Sequence, residues 1–250
     1  MNFVALTIDQ GLAVVTMQRG KVNALNEIMV NEVTSLFQDL QAHPEVRAVI
    51  LTGAGKFFSF GFDIPAFLGH SQDEFALFVN NFCRLYTLMF RYPKPLIAAL
   101  NGHAIAGGCA LALACDYRLM VTGKAKISLN EITFGAPVLA GMAAMLDYWV
   151  GARQAQKVLF SGAMYSAEAA RDLGLVDQVV AETELANAAR EIAGDFARKD
   201  AAAFAALKRL LRQPLIEAWQ KQEPDSLREF LNIWYSPATR EQLMKIEIRS

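Results

Sequence analysis

The stretch that decides the fold is "PLIAALNGHAIAGGCALALACDYRLMV", residues 95–121. Its two ends, "PLIAAL" and "YRLMV", are short β-rich runs bounded by turn residues. The uninterrupted apolar part between them, Ala104 to Cys115, is shorter than the roughly 18–20 residues that a bilayer requires, so we predict a buried helix there. A strand, a helix and a second strand in this order indicate an α/β fold.

Short β-rich runs continue to alternate with helical patterns towards the N-terminus, but not towards the C-terminus. "FVALTI" and "LAVVTM" predict a hairpin with its turn at Asp9–Gly11, and "VRAVILTG" predicts a further strand. Beyond about residue 185 the sequence has helical spacing and almost no β-branched strand. We therefore predict an α/β core over residues 1–196 and a helical region over residues 197–250.

Composition excludes several classes of protein. With 250 residues, 54% of them hydrophobic, the chain can bury a large core and is not disordered. A formal charge of −1 gives no general attraction to nucleic acid or to anionic lipid. Three cysteines without metal-type spacing indicate neither a metal site nor a disulfide framework, and they favour a reducing compartment. The N-terminus lacks the features of a signal peptide, so we expect a cytoplasmic protein.

The glycine pair Gly107–Gly108 has two possible uses. It can let the strand "PLIAAL" pack tightly against the following helix, or it can present bare N–H groups at a helix N-terminus to an oxygen that becomes negative. A second glycine-containing turn, "GKFFSFGFDI" at 55–64, follows the strand "VRAVILTG". Two such strand ends can aim two N–H donors at one carbonyl oxygen, which would form an oxyanion hole.

The order of four motifs resembles the crotonase superfamily of enoyl-CoA hydratases and isomerases. The motifs are "GKFFSFGFDI", "PKPLIAALNGHAIAGGCALALACDYRL", "ISLNEITFG" and "YSAEAARDLGLVDQVV", and the likeness covers about residues 3–180. The resemblance implies a spiral of ββα units, a helical C-terminal region that assembles homotrimers or homohexamers, and acyl-CoA thioester substrates. It implies no separate cofactor, because coenzyme A is part of the substrate.

The resemblance also assigns catalytic roles. It places the oxyanion hole at the N–H groups of Phe62 and Gly107, and a catalytic carboxylate at Glu131. Hydratases of this family carry a second glutamate where this chain has Ala110. A single base is enough to move a double bond, and the motifs look most like the Δ3,Δ2-enoyl-CoA isomerase branch. Without the resemblance, Glu131 would be interpreted as a helix cap or as the partner of Lys126.

A departure from the hydratase pattern follows Glu131. The residues Pro137, Val138 and Leu139 replace a glycine-rich turn, which makes the pocket more apolar and less suited to a fixed water. This favours isomerisation. Hydration, another crotonase reaction such as thioester hydrolysis, and a non-catalytic acyl-CoA-binding scaffold remain as alternatives.

The coenzyme end of the site is also assigned by resemblance. The backbone of Asn23, Ala24 and Leu25, together with Phe60, is expected to flank the adenine, and Lys56 matches a basic position near the phosphates. Additional phosphate contacts are sought in the C-terminal "LKRLLR", in Lys208, Arg209 and Arg212.

Four further residues have mainly structural interpretations. We expect Asp116 and Arg118 to form a buried pair and Asp63 to cap the helix after the oxyanion turn. The histidine beside the glycine pair, His103, is interpreted as structural, although it is the first alternative acid for a hydration reaction.

Overall fold

The computed structural model describes residues 1–246 and residue 248, and it shows the predicted α/β architecture. A six-stranded sheet has the order β1-β2-β3-β5-β7-β9, and a three-stranded sheet has the order β4-β6-β8. β1 and β2 are antiparallel, and every other pairing is parallel. The strands are β1 Val4–Asp9, β2 Leu12–Met17, β3 Ala48–Gly53, β4 Phe57–Ser59, β5 Leu96–Leu100, β6 His103–Ile105, β7 Tyr117–Val121, β8 Ile127–Ser128 and β9 Gln178–Val180.

The described residues form ten α-helices around the sheets. They are α1 Glu27–Ala42, α2 Ile64–Phe67, α3 Gln72–Phe90, α4 Gly107–Leu113, α5 Ala140–Val150, α6 Ala152–Ser161, α7 Ala167–Leu173, α8 Leu185–Ala197, α9 Ala201–Trp234 and α10 Pro237–Leu243. The predicted buried helix is α4, whose residues are all buried. The boundary predicted at residues 196 and 197 falls at the last residues of α8, which packs against strands of the large sheet.

The small sheet brings two strand ends together. β4 pairs in parallel with β6, with Phe57 opposite His103, and β6 pairs with β8. The chain leaves β4 towards Phe62 and leaves β6 towards Gly107. Because parallel strands end at the same edge of a sheet, both turns lie at one edge, as the two glycine motifs predict.

The helical C-terminal region folds back onto the core. The long helix α9 packs against α5 and α3, and α10 packs against the 3₁₀ turn Glu131–Phe134. Helix α3 contains four phenylalanines and buries its apolar face. No helix within residues 1–246 is long and apolar enough to cross a membrane.

The prediction that Asp116 and Arg118 form a buried pair is wrong. Asp116 instead accepts a hydrogen bond from Lys208 at 2.8 Å and forms an ion pair with Arg212 at 3.0 Å, both on α9. Arg118 pairs with Asp177 at 2.7 Å. The two side chains therefore bind partners that lie far away in sequence, because a charge this deeply buried needs an opposite charge wherever the fold supplies one.

Candidate active site

Two backbone N–H groups at the edge of the small sheet are free to bind a ligand. Around Phe62, the Leu25 N–H donates to Gly61 O at 2.7 Å and the Asp63 N–H donates to Leu25 O at 2.9 Å. This pattern leaves the Phe62 N–H without an acceptor within residues 1–246. The N–H of Gly107, in the first turn of α4, also has none there. Both residues line one cavity.

Gly107 and Gly108 have different structural surroundings, which give them different roles. A Cβ on Gly108 would lie 2.4 Å from the backbone oxygen of Ser59, so only glycine allows α4 to pack on β4. A Cβ on Gly107 would meet only side chains, at 3.2 Å from Phe62 and 3.3 Å from Leu25. The packing and donor interpretations of the pair are therefore divided between its two members.

The turn before α4 is strained. Ala106 has φ +50°, a conformation that alanine rarely adopts, and it immediately precedes the Gly107 N–H. Gly61, with φ +89°, lies close by, because a Cβ on it would be 3.1 Å from the Gly107 nitrogen. Strain of this kind persists where the surrounding structure fixes it, and it concentrates at functional sites.

Glu131 is a buried carboxyl group in the wall of the same cavity. It is 6% exposed and begins the 3₁₀ turn that follows β8. Its Oε2 has no hydrogen-bond partner and Glu131 has no ion pair within residues 1–246, so the interpretation that it pairs with Lys126 is wrong. Burial raises the pKa of Glu131 to about 8. A carboxyl group in this environment is a strong base once it is ionised.

The cavity has a volume of about 360 Å³ and a mostly apolar wall. Glu131 is the only titratable side chain among its described lining residues, and Ala110, although completely buried, is not part of the wall. The lining residues are Phe60, Phe62, Ile64, Ile105, Ala106, Gly107, Asn130, Glu131, Thr133, Phe134, Pro137, Leu139, Met142, Phe230, Trp234, Gln242 and Ile246.

Four of these residues come from the C-terminal region and were not predicted from the sequence. Phe230 and Trp234 belong to α9, Gln242 to α10, and Ile246 follows it. Hydrogen bonds fasten this region to the core: Tyr235 Oη donates to the His70 carbonyl at 2.9 Å. No local pattern marks these positions, because only the return of α9 onto the core brings them to the cavity.

Only one of the five residues predicted to bind coenzyme A lies in the described cavity wall. Phe60 lines the cavity, whereas Asn23, Ala24, Leu25 and Lys56 do not. The side chain of Asn23 holds the loop together by donating to Ala54 O at 3.0 Å and to Phe57 O at 2.8 Å. The roles of these residues towards coenzyme A stay predictions.

Two of the predicted phosphate contacts in the tail are wrong. Lys208 and Arg212 are buried, and both are bound to Asp116. Burial lowers the pKa of Lys208 to about 8, although Asp116 opposes the change. Side chains committed to a buried carboxylate are not available to a phosphate at the surface, and only Arg209 of the three is exposed.

Two other interpretations are tested by the contacts. Asp63 stands before α2 but makes no capping hydrogen bond, so that prediction is wrong; its carboxylate binds Arg19 at 2.5 Å instead. His103 packs against Phe57 with ring centroids 4.8 Å apart, and it does not line the cavity. Both observations agree with the interpretation of His103 as a structural residue. Burial, followed by the charge of Lys126, lowers the pKa of His103.

Comparisons with known proteins agree with this architecture. The sequence model of the enoyl-CoA hydratase/isomerase family matches residues 7–240. A short-chain-enoyl-CoA hydratase of Clostridium acetobutylicum is 36% identical over 77% of this chain and 74% of its own length. A carnitinyl-CoA dehydratase of Escherichia coli is 31% identical over 92% and 90% of the two chains.

Solved structures show the same fold. The crystal structure of human mitochondrial Δ3-Δ2-enoyl-CoA isomerase superposes with a TM-score of 0.93, covering 96% of this chain and 95% of the human one at 26% identity. An enoyl-CoA hydratase/isomerase from Xanthobacter autotrophicus superposes with a TM-score of 0.87, covering 96% and 91% of the two chains at 28% identity.

Proposed function

This chain belongs to the enoyl-CoA hydratase/isomerase family, and on that premise we propose that it moves the double bond of a 3-enoyl-CoA to position 2. Glu131 is the proton carrier, and the Phe62 and Gly107 N–H groups form the oxyanion hole. Coenzyme A enters as part of the substrate, and no separate cofactor takes part in the reaction.

The reaction is a proton shuttle within one pocket. The ionised Glu131 carboxylate takes a proton from C2, and the electron pair of the broken C–H bond enters a dienolate whose negative charge lies on the thioester oxygen. The two N–H groups stabilise that oxygen; losing one such donor typically costs on the order of 100- to 1000-fold in rate. Glu131 then returns the proton to C4, which leaves the double bond between C2 and C3.

The observation that carries the proposal is that the cavity holds one carboxyl group. Stepwise addition of water needs groups that both hold the water and exchange its protons. Glu131 is the only titratable residue among the described lining residues, and position 110 supplies a buried methyl group that cannot hold water. A shuttle between C2 and C4 needs only the single base that is present.

The second candidate is an enoyl-CoA hydratase. It is favoured by the relative from Clostridium acetobutylicum, which is named as a hydratase and is 36% identical. It also requires a second polar group near the water, and Asn130 and Thr133 are the uncharged polar side chains next to Glu131 in the wall. A non-catalytic acyl-CoA scaffold would need neither an unpartnered buried carboxyl group nor free N–H donors.

The test compares two rates on one preparation with the same acyl chain. We expect isomerisation of the 3-enoyl-CoA to exceed hydration of the 2-enoyl-CoA by a wide margin. Glu131→Gln should lower isomerisation by about 100-fold or more while acyl-CoA still binds, because the amide keeps the shape and loses the base. Hydration as fast as isomerisation would support the hydratase instead, and a loss of less than about threefold in Glu131→Gln would exclude Glu131 as the base.

Assembly and compartment are part of the proposal. A groove of about 410 Å³ outside the cavity is lined by apolar residues that include Ile132 and Phe160, and Phe160 is 70% exposed. An exposed apolar patch of this kind typically marks a protein contact, which supports a homotrimer or homohexamer. Three free, buried cysteines support the cytoplasm as the compartment.

A further inference from the structure

The cavity has a closed end formed by α5 and α9. Four side chains form this end: Leu139, which immediately precedes α5, Met142 in the first turn of α5, and Phe230 and Trp234 near the end of α9. Each of the four is at most 3% exposed. The rim of the cavity, in contrast, includes the exposed residues Thr133 and Gln242.

The closed end offers no charge and only one hydrogen-bond donor. None of its four side chains is titratable, and their one nitrogen, Trp234 Nε1, is buried without a hydrogen-bond partner in the described residues. A charge placed there would lose its hydration without gaining an opposite charge. The closed end therefore selects for hydrocarbon.

Hydrogen bonds that join α5, α3 and α9 also hold the closed end in place. The Glu223 carboxylate of α9 accepts from the Gly141 N–H at 3.1 Å and from the Tyr86 hydroxyl at 2.5 Å, and Ser226 Oγ accepts from the Ala140 N–H at 2.9 Å. These bonds satisfy N–H groups in the first turn of α5. Gly141 packs so closely that a Cβ on it would lie 2.5 Å from the Tyr86 ring. The first turn of α5, with Leu139 before it and Met142 within it, is consequently held against α3 and α9.

From these contacts we propose that the substrate's acyl group is an unsubstituted hydrocarbon chain of short to medium length, and that Leu139, Met142, Phe230 and Trp234 set its upper limit. This inference rests on the proposed function and names its substrate class. A cavity of about 360 Å³ has room for roughly a dozen groups of water size, at about 30 Å³ each. Because the thioester and the mouth take part of that room, we expect the limit between about six and ten carbons.

The limit can be measured without catalysis. Saturated acyl-CoA thioesters lack the double bond that the reaction moves, so their dissociation constants from wild-type protein can be determined by calorimetry across a series of about four to sixteen carbons. Each added methylene that is buried should tighten binding about fourfold. The gain should stop where the chain reaches the closed end.

Enlarging the closed end should move that break. In Phe230→Ala and in Met142→Ala, we expect the break to shift to chains about two to four carbons longer, because the removed side-chain atoms leave a hole that the chain can fill. Phe230→Leu should shift it less and serves as the variant that disturbs folding least. Phe37→Leu is the matched control: Phe37 is fully buried and packs against Tyr92, away from the cavity, so the break should stay in place.

The outcomes separate the inference from the function on which it rests. A break that stays at one chain length in Phe230→Leu, Phe230→Ala and Met142→Ala, with melting curves showing folded protein, would overturn the inference alone. Tighter binding of a chain with a terminal hydroxyl than of the unsubstituted chain of equal length would also overturn it. Failure of wild-type protein to bind any acyl-CoA would overturn the proposed function.

Discussion

At the scale of single residues, Glu131 is placed at a cost to stability. A carboxyl group in an apolar wall, with one oxygen unpartnered, is less stable than the same group in water. Within the described residues the fold supplies no cation to offset this cost, and the only hydrogen bond that lowers the pKa of Glu131 comes from its own backbone. A base that must take a proton from carbon benefits from that environment, because poor solvation of the carboxylate raises its affinity for a proton.

The first residue-scale prediction concerns pH. The pKa of Glu131 is raised from an ordinary 4.5 to about 8, so between these values the folded protein keeps a proton that the unfolded chain has lost. The stability contributed by the neutral carboxyl is thus fully present below pH 4.5 and is lost as the pH rises through 8. Glu131→Gln cannot titrate, so thermal melts should show the variant gaining stability over wild type, by up to a few kcal/mol, as the pH rises across this window.

The kcat/KM of wild type for isomerisation should rise over the same range, because only the ionised carboxylate is a base. If the melting difference between the two proteins were the same at pH 5 and pH 9, burial of an ionisable Glu131 would be refuted.

The two glycines give a matched pair of variants. Gly107→Ala adds a methyl group that meets only side chains at 3.2 Å or more, so the protein should fold, but isomerisation should fall by an order of magnitude or more as the N–H becomes crowded. Gly108→Ala places its methyl group 2.4 Å from the backbone oxygen of Ser59, so it should lower the melting temperature markedly. Thermal melts and rates on both variants check this. Equal loss of stability in the two would mean that Gly107 also serves packing.

The sequence does not predict the partners of charged residues when those partners lie far away along the chain. Motif order identifies Glu131, whose place in the cavity wall needs only a short turn after β8. The partner of Asp63 is Arg19, 44 positions away, and the partners of Asp116 stand on α9, more than 90 positions away. Spacing along the chain carries no information about such pairs, because the fold creates them.

At the scale of elements, α9 connects a buried ion cluster in the core to the wall of the cavity. Near its start, Lys208 and Arg212 bind Asp116, and Arg212 also lies over the Phe90 ring at 4.3 Å. Near its end, Phe230 and Trp234 form part of the cavity wall. The buried ions at one end of this helix consequently help to fix the position of the wall at the other.

Removal of the shared carboxylate tests this role. Asp116→Asn leaves the Lys208 and Arg212 charges buried without their partner, so we expect a loss of about 3–5 kcal/mol in the free energy of unfolding, measured by denaturant titration. Asp225→Asn, on the same helix, removes an exposed partner of Arg228 and should have no measurable effect. Similar stabilities of the two variants would contradict a structural role for the buried ions.

The elements themselves were predicted to different extents. The strands of the large sheet contain five or six residues in β1, β2, β3, β5 and β7, which is enough for the sequence pattern to show. β4, β6 and β8 contain only two or three residues, and no periodicity can be seen in so few. The small sheet that positions the Phe62 and Gly107 N–H groups was therefore foreseeable only from the glycine turns that follow it.

At the scale of the whole molecule, the candidate active site and the exposed groove share a wall. Pro137 lines both the cavity and the groove, and Ile132 of the groove follows Glu131 directly. The 3₁₀ turn that carries Glu131 thus has the cavity on one side and an uncovered apolar surface on the other. If a second copy of the chain covers that surface, assembly will support the catalytic turn.

The last prediction follows from this shared wall. Phe160→Asp puts a charge on the most exposed large apolar residue of the groove, where burial against another subunit would be costly, so the proposed homotrimer or homohexamer should dissociate. Light scattering after size exclusion should show the mass of wild type falling to that of one 27.5 kDa chain. Because Phe160 is exposed within the subunit, the substitution should leave the core of each chain intact. A thermal melt of the dissociated chain should therefore still show the unfolding transition of a folded protein. Isomerisation should nevertheless fall, since the Glu131 turn loses its support.

A Phe160→Asp protein of unchanged mass would place the subunit contacts elsewhere, and a monomer with full activity would show that the catalytic turn is held by its own chain alone. Leu77→Asp, on the outer side of α3 and 61% exposed, is the control that should change neither mass nor rate.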